Sequence, residues 1–350
     1  MKKITFTLLL FSLFFSVTAQ EVEVSETQLS MITKRTATWC PLCGGWGWTF
    51  FEGLVEDNSE RALLIAAHYS GDLINQASLD ITNNLGGFSQ PRYYFNNDDQ
   101  GANSSNFGTK REEIKTQVND AYASSPVAQS GIILVDDETE LSVYTKTKFF
   151  QPASGEYYLS VFLIEKYVNE TQAGQNGLVD HPQILRRSLL STTFGDQIGE
   201  GDIAAGTEVE LNTTLAIDGT YDLENIQIAT VIWEKVDDKY NFVNTFFTSE
   251  ILEEVVSTNE TQIEGAELKI APNPVVNQSF VDLNLDRGFE QSELLIFDVL
   301  GRKTTSVFNG QLPAGLHRFP VSKESLGSSG LYFVQFRSGN QLISRRLLIQ

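Results

Sequence analysis

The chain has 350 residues, with 25 Lys and Arg against 45 Asp and Glu, a formal charge of −20, and only two cysteines. A hydrophobic share of 41% and a charged share of 20% are globular values that exclude wholesale disorder, and the length suggests two or three domains. Strong acidity argues against a nucleic-acid or anionic-lipid partner, and two cysteines exclude a disulfide-dense scaffold and an all-cysteine zinc site.

Residues 1–20 read as a signal peptide. Lys2 and Lys3 give a positive start, residues 8–15 (LLLFSLFF) an apolar run too short to span a bilayer comfortably, and Val17-Thr18-Ala19 a small-residue cleavage pattern. No later stretch reaches about 18 apolar residues, so the mature chain is expected to have no transmembrane segment. Charge is unevenly spread beyond this leader. Residues 21–268 carry 14 Lys and Arg against 39 acids, net −25, whereas residues 269–350 carry 9 against 6, net +3. That step marks the C-terminal segment as a separate module.

The one reactive-looking feature comes early. Met31-Ile32-Thr33-Lys34 suggests a strand that runs into Thr38-Trp39-Cys40-Pro41-Leu42-Cys43-Gly44. In the next segment, residues 46, 50, 51, 54 and 55 are apolar and fall on one helical face. Pro41 suits a first helical turn, where its missing N–H costs nothing. Free backbone N–H groups and the positive end of the helix dipole there favour a thiolate at Cys40. Cys43, one turn on, is placed to attack a mixed disulfide formed at Cys40. A bridge across two residues removes little chain entropy, so the spacing suits exchange better than stapling. The alternatives are a metal half-site or an incidental bridge; with no other cysteine and three histidines, zinc lacks ligands.

An apolar strand over 62–69, a helix over 78–85 ended by Gly86-Gly87, then Phe88-Ser89-Gln90-Pro91, a strand over 92–95 and a helix over 109–123 complete an α/β pattern. Over residues 21–125 this order resembles a thioredoxin-like domain. The resemblance implies that Cys40 and Cys43 are the catalytic pair, that Pro91 is a cis-proline facing them at the substrate site, and that Gln90 pairs with substrate; the aromatic cluster itself makes Trp39 a candidate for an apolar rim that receives unfolded peptide. Trp48 joins Trp39 as a candidate for an exposed rim, with Trp46, Phe50 and Phe51 in the core. Where many members carry a buried acid, six residues before the first cysteine, this chain has Lys34, which cannot serve as a carboxylate base. His68 reads as a strand-end histidine with a local hydrogen bond, the alternative being a residue that comes close to the cysteine site.

Residues 126–256 suggest a separate seven-strand β-sandwich, with strands over 131–135, 141–150, 156–168, 184–194, 207–217, 226–236 and 242–252. His181 reads as a turn residue there, the alternative being a ligand. With the α/β front, this region resembles an outer-membrane-protein family of the Bacteroidota. The acidic stretches 96–99 and 136–138 match no calcium-loop spacing and read as solvated surface. Residues 257–267 read as a linker.

The last segment reads as short strands broken by Gly and Pro turns, a small immunoglobulin-like β-sandwich. It opens with Leu268-Lys269-Ile270-Ala271-Pro272-Asn273-Pro274 and continues through Phe297-Asp298-Val299-Leu300-Gly301-Arg302 and Ser329-Gly330-Leu331-Tyr332-Phe333-Val334 to Arg345-Arg346-Leu347-Leu348-Ile349-Gln350. In order and wording, residues 268–350 resemble the type A sorting domain of the type IX secretion system. The resemblance implies handling by that machinery and release or attachment at the outer cell surface. The fold class expected is thus multidomain, α/β followed by all-β. The function expected is an exported thiol–disulfide oxidoreductase acting on protein thiols or disulfides, with no cofactor or metal. The rival is a non-catalytic surface binding protein with an inert CPLC bridge.

Overall fold

The computed structural model describes residues 22–136, 139–253, 261–273, 275, 277–298, 303–326, 330–339 and 341–349. The expected signal peptide lies outside the described residues. The chain divides into two compact units, Val22–Glu254 and a C-terminal unit over Val255–Gln350.

The first unit opens with strand β1 (Ser30–Ala37), helices α1 (Pro41–Gly44) and α2 (Trp46–Asn58), β2 (Ala62–Ser70), α3 (Gln76–Leu85), β3 (Arg92–Phe95), the two-residue β4 (Asp98–Asp99) and α4 (Phe107–Tyr122). Strand β1 is buried along its whole length because it pairs in parallel with β2 on one edge and antiparallel with β3 on the other. Helix α3 starts where the Asn75 side chain accepts the Ser78 N–H and stops at Gly86, whose φ of +74° suits a residue without a Cβ. Helices α2 and α4 cover one face of these strands through Phe50, Phe51, Leu54, Ile114 and Val118.

Among the described residues nine strands follow: β5 (Ala128–Asp136), β6 (Glu140–Phe149), β7 (Ala153–Thr171), β8 (Leu178–Ser188), β9 (Asp196–Ile203), β10 (Glu208–Ala216), β11 (Ile226–Val236), β12 (Lys239–Thr248) and β13 (Ile251–Glu253). Seven were expected. The extra β9 (DQIGEGDI) has too little apolar alternation to read as a strand, and its place against β7 is fixed by pairing. The expected 242–252 strand divides, because β13 leaves β12 to pair in parallel with β5.

The expected boundary after residue 125 does not separate two cores. One nine-stranded sheet runs β12-β11-β7-β8-β2-β1-β3-β4, with β9 also on β7, and a four-stranded sheet runs β10-β6-β5-β13. The two halves of the large sheet meet at a single parallel bridge, Ala66↔Ile184. Met31, Leu63 and Ile65 from the front pack with Phe162, Leu185, Val231 and Trp233 from the back. The apolar run of β2 has two faces and two edges to cover, and its second edge is met by β8. The sandwich itself is present: Leu134, Leu141 and Val143 of the small sheet pack on Val161, Leu163 and Ile228 of the large one.

Among its described residues, the C-terminal unit has two sheets. One orders β14 (Thr261–Gln262), β21 (Gln341–Ile349), β20 (Gly330–Ser338), β17 (Phe289–Asp298) and β18 (Lys303–Leu312); the other orders β15 (Ala266–Ala271), β16 (Gln278–Leu285) and β19 (Gly315–Ser322). Val281, Leu283, Leu294, Ile296, Val334 and Leu347 fill the space between them. The unit starts earlier than the expected Leu268: Ile263 is buried in this core and β14 already pairs with β21, so only part of 257–267 is left to act as a linker. Among the described residues, no helix is long and apolar enough to cross a membrane.

Candidate functional site

Cys40 and Cys43 form a disulfide at the end of β1, with their Cα atoms 5.2 Å apart. Cys40 is the N-cap of α1, and its Sγ accepts the Cys43 N–H at 3.2 Å, so one of the helix's open donors points at the leading sulfur. Pro41 occupies the first turn, as its missing N–H allows. Gly45 separates α1 from α2, which then carries Trp46, Phe50, Phe51 and Leu54 inward. Both sulfurs are covered: Cys40 is 3% exposed and Cys43 fully buried.

The peptide bond Gln90–Pro91 is cis. Pro91 is buried, and its ring lies where a Cβ on Gly47 would sit, 2.7 Å from the Pro91 Cγ; the same position is 3.1 Å from the Leu42 carbonyl oxygen. Pro91 therefore packs beside the turn that follows the cysteines, and only glycine at position 47 admits it. Tyr93 fixes this contact from below by donating its hydroxyl to the Gly47 carbonyl. The β1–β3 ladder ends at Arg35↔Arg92, so half-exposed Gln90 lies beyond it. Arg35 holds the approach to Pro91 by donating to the Ser89 carbonyl at 2.9 Å, while its guanidinium lies 3.7 Å from the centre of the Tyr69 ring. Burial pulls the Arg35 pKa down, and its tyrosine neighbours oppose this.

The two rim candidates part company. Trp39 is 53% exposed, with its edge on Tyr69 and its indole N–H on Ser70 Oγ at 2.6 Å. Leu42 is exposed to a similar degree, and Phe88 stands almost free on the loop before Pro91. Trp48 instead turns inward over His181, ring centres 5.1 Å apart, with its N–H on Glu52.

Beneath Trp48 the structure brings together three basic residues that the sequence leaves scattered. Lys34 on β1 is 4% exposed and fits between the rings of Trp48 and Phe51, its Nζ 5.5 and 5.2 Å from their centres. His68 on β2 and His181 on β8 are both buried, with ring centres 5.6 Å apart. His68 Nδ1 and His181 Nε2 have no hydrogen-bond partner. His181 is a strand residue rather than the expected turn residue, whereas His68 lies near the end of its strand as expected and faces a second imidazole. Desolvation dominates their electrostatics. It lowers Lys34 to a pKa of about 7, opposed by Glu52, and holds both histidines below the usual imidazole range, helped by Lys34 at both and by His181 at His68.

A further part of the site had no sequence signal. The β7–β8 turn folds over the cysteine loop. Buried Gln172 donates its amide N–H to the Cys40 carbonyl at 2.9 Å, the Ala173 N–H reaches the Thr38 carbonyl at 2.7 Å, and Gln175 Nε2 reaches the Gly44 carbonyl at 2.6 Å. More than 130 residues of chain separate these partners, so no local pattern announces them.

The acidic 96–99 stretch is spent on structure: Asn96 caps the Met31 N–H and Asp99 pairs with Arg92 at 3.1 Å. Among the described residues, no group of three or more His, Cys, Asp or Glu is gathered to hold a metal.

Residues 269–350 match a family described as the secretion system C-terminal sorting domain, in keeping with the type IX resemblance of the segment. This indicates a chain delivered by that secretion route to the cell surface or beyond. No curated protein sequence matches the chain. Among solved structures, HBP35 of Porphyromonas gingivalis is similar over 94% of this chain and all of its own, at 14% identity and a TM-score of 0.55. At that identity the likeness is one of fold alone. A domain of the outer membrane lipoprotein Omp28 from Porphyromonas gingivalis matches 37% of this chain and 90% of its own, at 13% identity and a TM-score of 0.26, too loose to bear on the fold.

Proposed function

We propose that the chain is an exported thiol–disulfide oxidoreductase that acts on protein substrates through a thioredoxin-like site, with Cys40 as attacking thiolate and Cys43 as resolving thiol. The observation that carries this reading is the Cys40–Cys43 bridge at a helix start whose next turn, at Gly47, packs against Pro91. In the reductive direction, the Cys40 thiolate attacks a substrate disulfide and expels one substrate thiolate. Cys43 then loses its proton and attacks Cys40 Sγ, the bond from Cys40 to substrate breaks, and the second substrate thiolate leaves. Two electrons pass from the pair to the substrate, and an external dithiol restores the pair. Exposed Trp39 and Leu42, with Phe88 on the neighbouring loop, supply apolar surface for an unfolded peptide, and the Gln90 backbone is the substrate-pairing edge.

Turnover of a disulfide-bonded protein substrate is the direct test. Cys40→Ser is expected to abolish it, and Cys43→Ser to accumulate a mixed disulfide at Cys40; a Cys40→Ser variant with full activity sinks the reading. A second reading is favoured by the burial of both sulfurs under the Gln172–Gln175 turn: an inert bridge in a non-catalytic surface binding protein. A redox titration separates the two. A bridge that stays closed across glutathione-range buffers supports the inert reading, and one that opens there supports exchange.

Delivery is a separate expectation. A chain ended before Leu268 is expected to accumulate in the periplasm, scored by fractionation and surface labelling. Normal surface delivery of that chain would refute the assignment of residues 269–350 as its sorting signal.

A further inference from the structure

Three buried polar atoms at the end of the β1–β2 pair have no hydrogen-bond partner: His68 Nδ1, His181 Nε2 and Thr36 Oγ1. Each of the three residues is 2% exposed or less. Thr36 and His68 are direct neighbours across the parallel ladder, so their side chains leave the sheet on the same face. His181 meets them from β8, its ring centre 5.6 Å from that of His68. The other nitrogen of His181 is engaged by the backbone of Glu170 and Thr171 at the end of β7. That contact fixes the ring and leaves Nε2 as the free lone pair, the arrangement by which proteins aim an imidazole at a metal. A bond of about 2 Å from each nitrogen, added to the ring radii, sets two imidazoles that share one ion at a bent angle roughly 5–6 Å apart, centre to centre. The observed separation falls inside that range. A bent pair leaves a third direction open, and the unpartnered Thr36 hydroxyl is the neighbour in the ladder that can fill it.

The charge around these donors selects the ion. No carboxylate joins them, since no group of three or more His, Cys, Asp or Glu is gathered among the described residues. Lys34 and Arg186 are positive neighbours, Glu52 and Glu170 negative ones. Burial keeps both imidazoles in the neutral form that can donate a lone pair. Without an anionic ligand, a divalent ion would bring two uncompensated charges into the interior, whereas a univalent ion brings one. Imidazole nitrogen suits copper, and Cu+ is satisfied by two or three donors where structural Zn2+ takes four. We propose that His68 and His181, with Thr36 as a weaker third donor, form a buried site for a univalent copper ion roofed by Trp48. The site takes neither sulfur, so it stands whether or not the Cys40–Cys43 bridge exchanges with thiols. Half-buried Trp48, edge-on to His181 at 5.1 Å, is the side from which the ion enters. No spacing in the chain announces the site, because its donors come from β1, β2 and β8.

The test uses the full chain with its bridge closed and no added thiol. Cu+ is supplied without oxygen as its acetonitrile complex, and Ag+ serves as a redox-inert stand-in. One ion per chain is expected, with the fluorescence of the four tryptophans partly quenched. Trp48→Phe keeps every donor, so it is expected to bind with wild-type affinity and to lose most of the quench. His68→Phe and His181→Phe are each expected to weaken binding about 100-fold, the upper end of what losing even an outer partner costs a metal site. X-ray absorption at the copper edge reads the wild type directly and needs no variant to fold. Two nitrogen donors at about 2 Å and no sulfur are expected. Zn2+ is expected to bind at least about 100-fold more weakly than Cu+, for want of ligands. A histidine pair with a purely structural role gives none of these responses. Absence of Cu+ binding, sulfur in the copper shell, or an unchanged affinity in either histidine variant overturns the proposal. Zn2+ binding as tight as that of Cu+ overturns the assignment to a univalent ion.

Discussion

Gly44→Ala is expected to loosen the cysteine loop and to lower the stability of the first unit by about 2–4 kcal/mol. A Cβ at position 44 would stand 2.1 Å from the Ala173 carbonyl oxygen and 2.9 Å from Gln172 Cγ. The first neighbour is backbone, so the β7–β8 turn has to move away. Three hydrogen bonds go with it, those from Gln172, Ala173 and Gln175 to the cysteine loop. Each is worth about 0.5–1.5 kcal/mol net, so the loss of all three sets the range given. The unfolding midpoint of the oxidised chain in urea measures the loss. The same displacement uncovers Cys40, so reaction of the bridge with dithiothreitol is expected to quicken in the folded state. An unchanged midpoint together with an unchanged reduction rate would show that the turn does not brace the loop.

The second large effect concerns the unit as a whole. Residues 22–125 produced alone are not expected to fold. Cutting there removes β8 from the edge of β2 and strips Phe162, Ile164, Leu185, Val231 and Trp233 from the face formed by Met31, Leu63 and Ile65. Each large apolar side chain that loses its cover forfeits about 1.5–3 kcal/mol, so the sum rivals the roughly 5–15 kcal/mol that holds a whole domain together. Trp233→Ala in the intact chain tests the same core more gently. Trp233 is fully buried and donates its indole N–H to Ser160 Oγ at 2.8 Å, and its removal is expected to cost about 3–5 kcal/mol. Because that core is shared, far-ultraviolet circular dichroism and fluorescence of the tryptophans near the cysteines should report one common transition. A fragment 22–125 that melts cooperatively, or two resolved transitions in the first unit, would show two independent domains.

Much of the site was legible because its grammar is local. Cys40, Pro41 and Cys43 lie within four residues, and the rule that places a proline in the first turn and a thiol over open N–H groups needs only that spacing. Pro91 was legible as a proline before a strand. Its seat against Gly47 was not, since the contact depends on how α2 lies across β3. Trp39 and Trp48 looked alike as rim candidates, yet one faces solvent and the other roofs a histidine. The difference lies in the strand behind each: Tyr69 and Ser70 receive Trp39, whereas the Lys34, His68 and His181 side chains leave room for Trp48.

By itself, the sequence determined the strand and helix order of the front half, the two-residue spacing of its only cysteines, and the sorting segment with its change of charge. All three depend on residues close together in the chain. Tertiary structure alone decided that the front half and the β half share one sheet, that Gln172 and Gln175 clamp the cysteine loop, and that Lys34 lies buried with two histidines. Those outcomes depend on which strand pairs with the open edge of β2. Edge pairing is settled by backbone hydrogen bonds and apolar cover that many β-strands can offer, and only the packed chain selects among them.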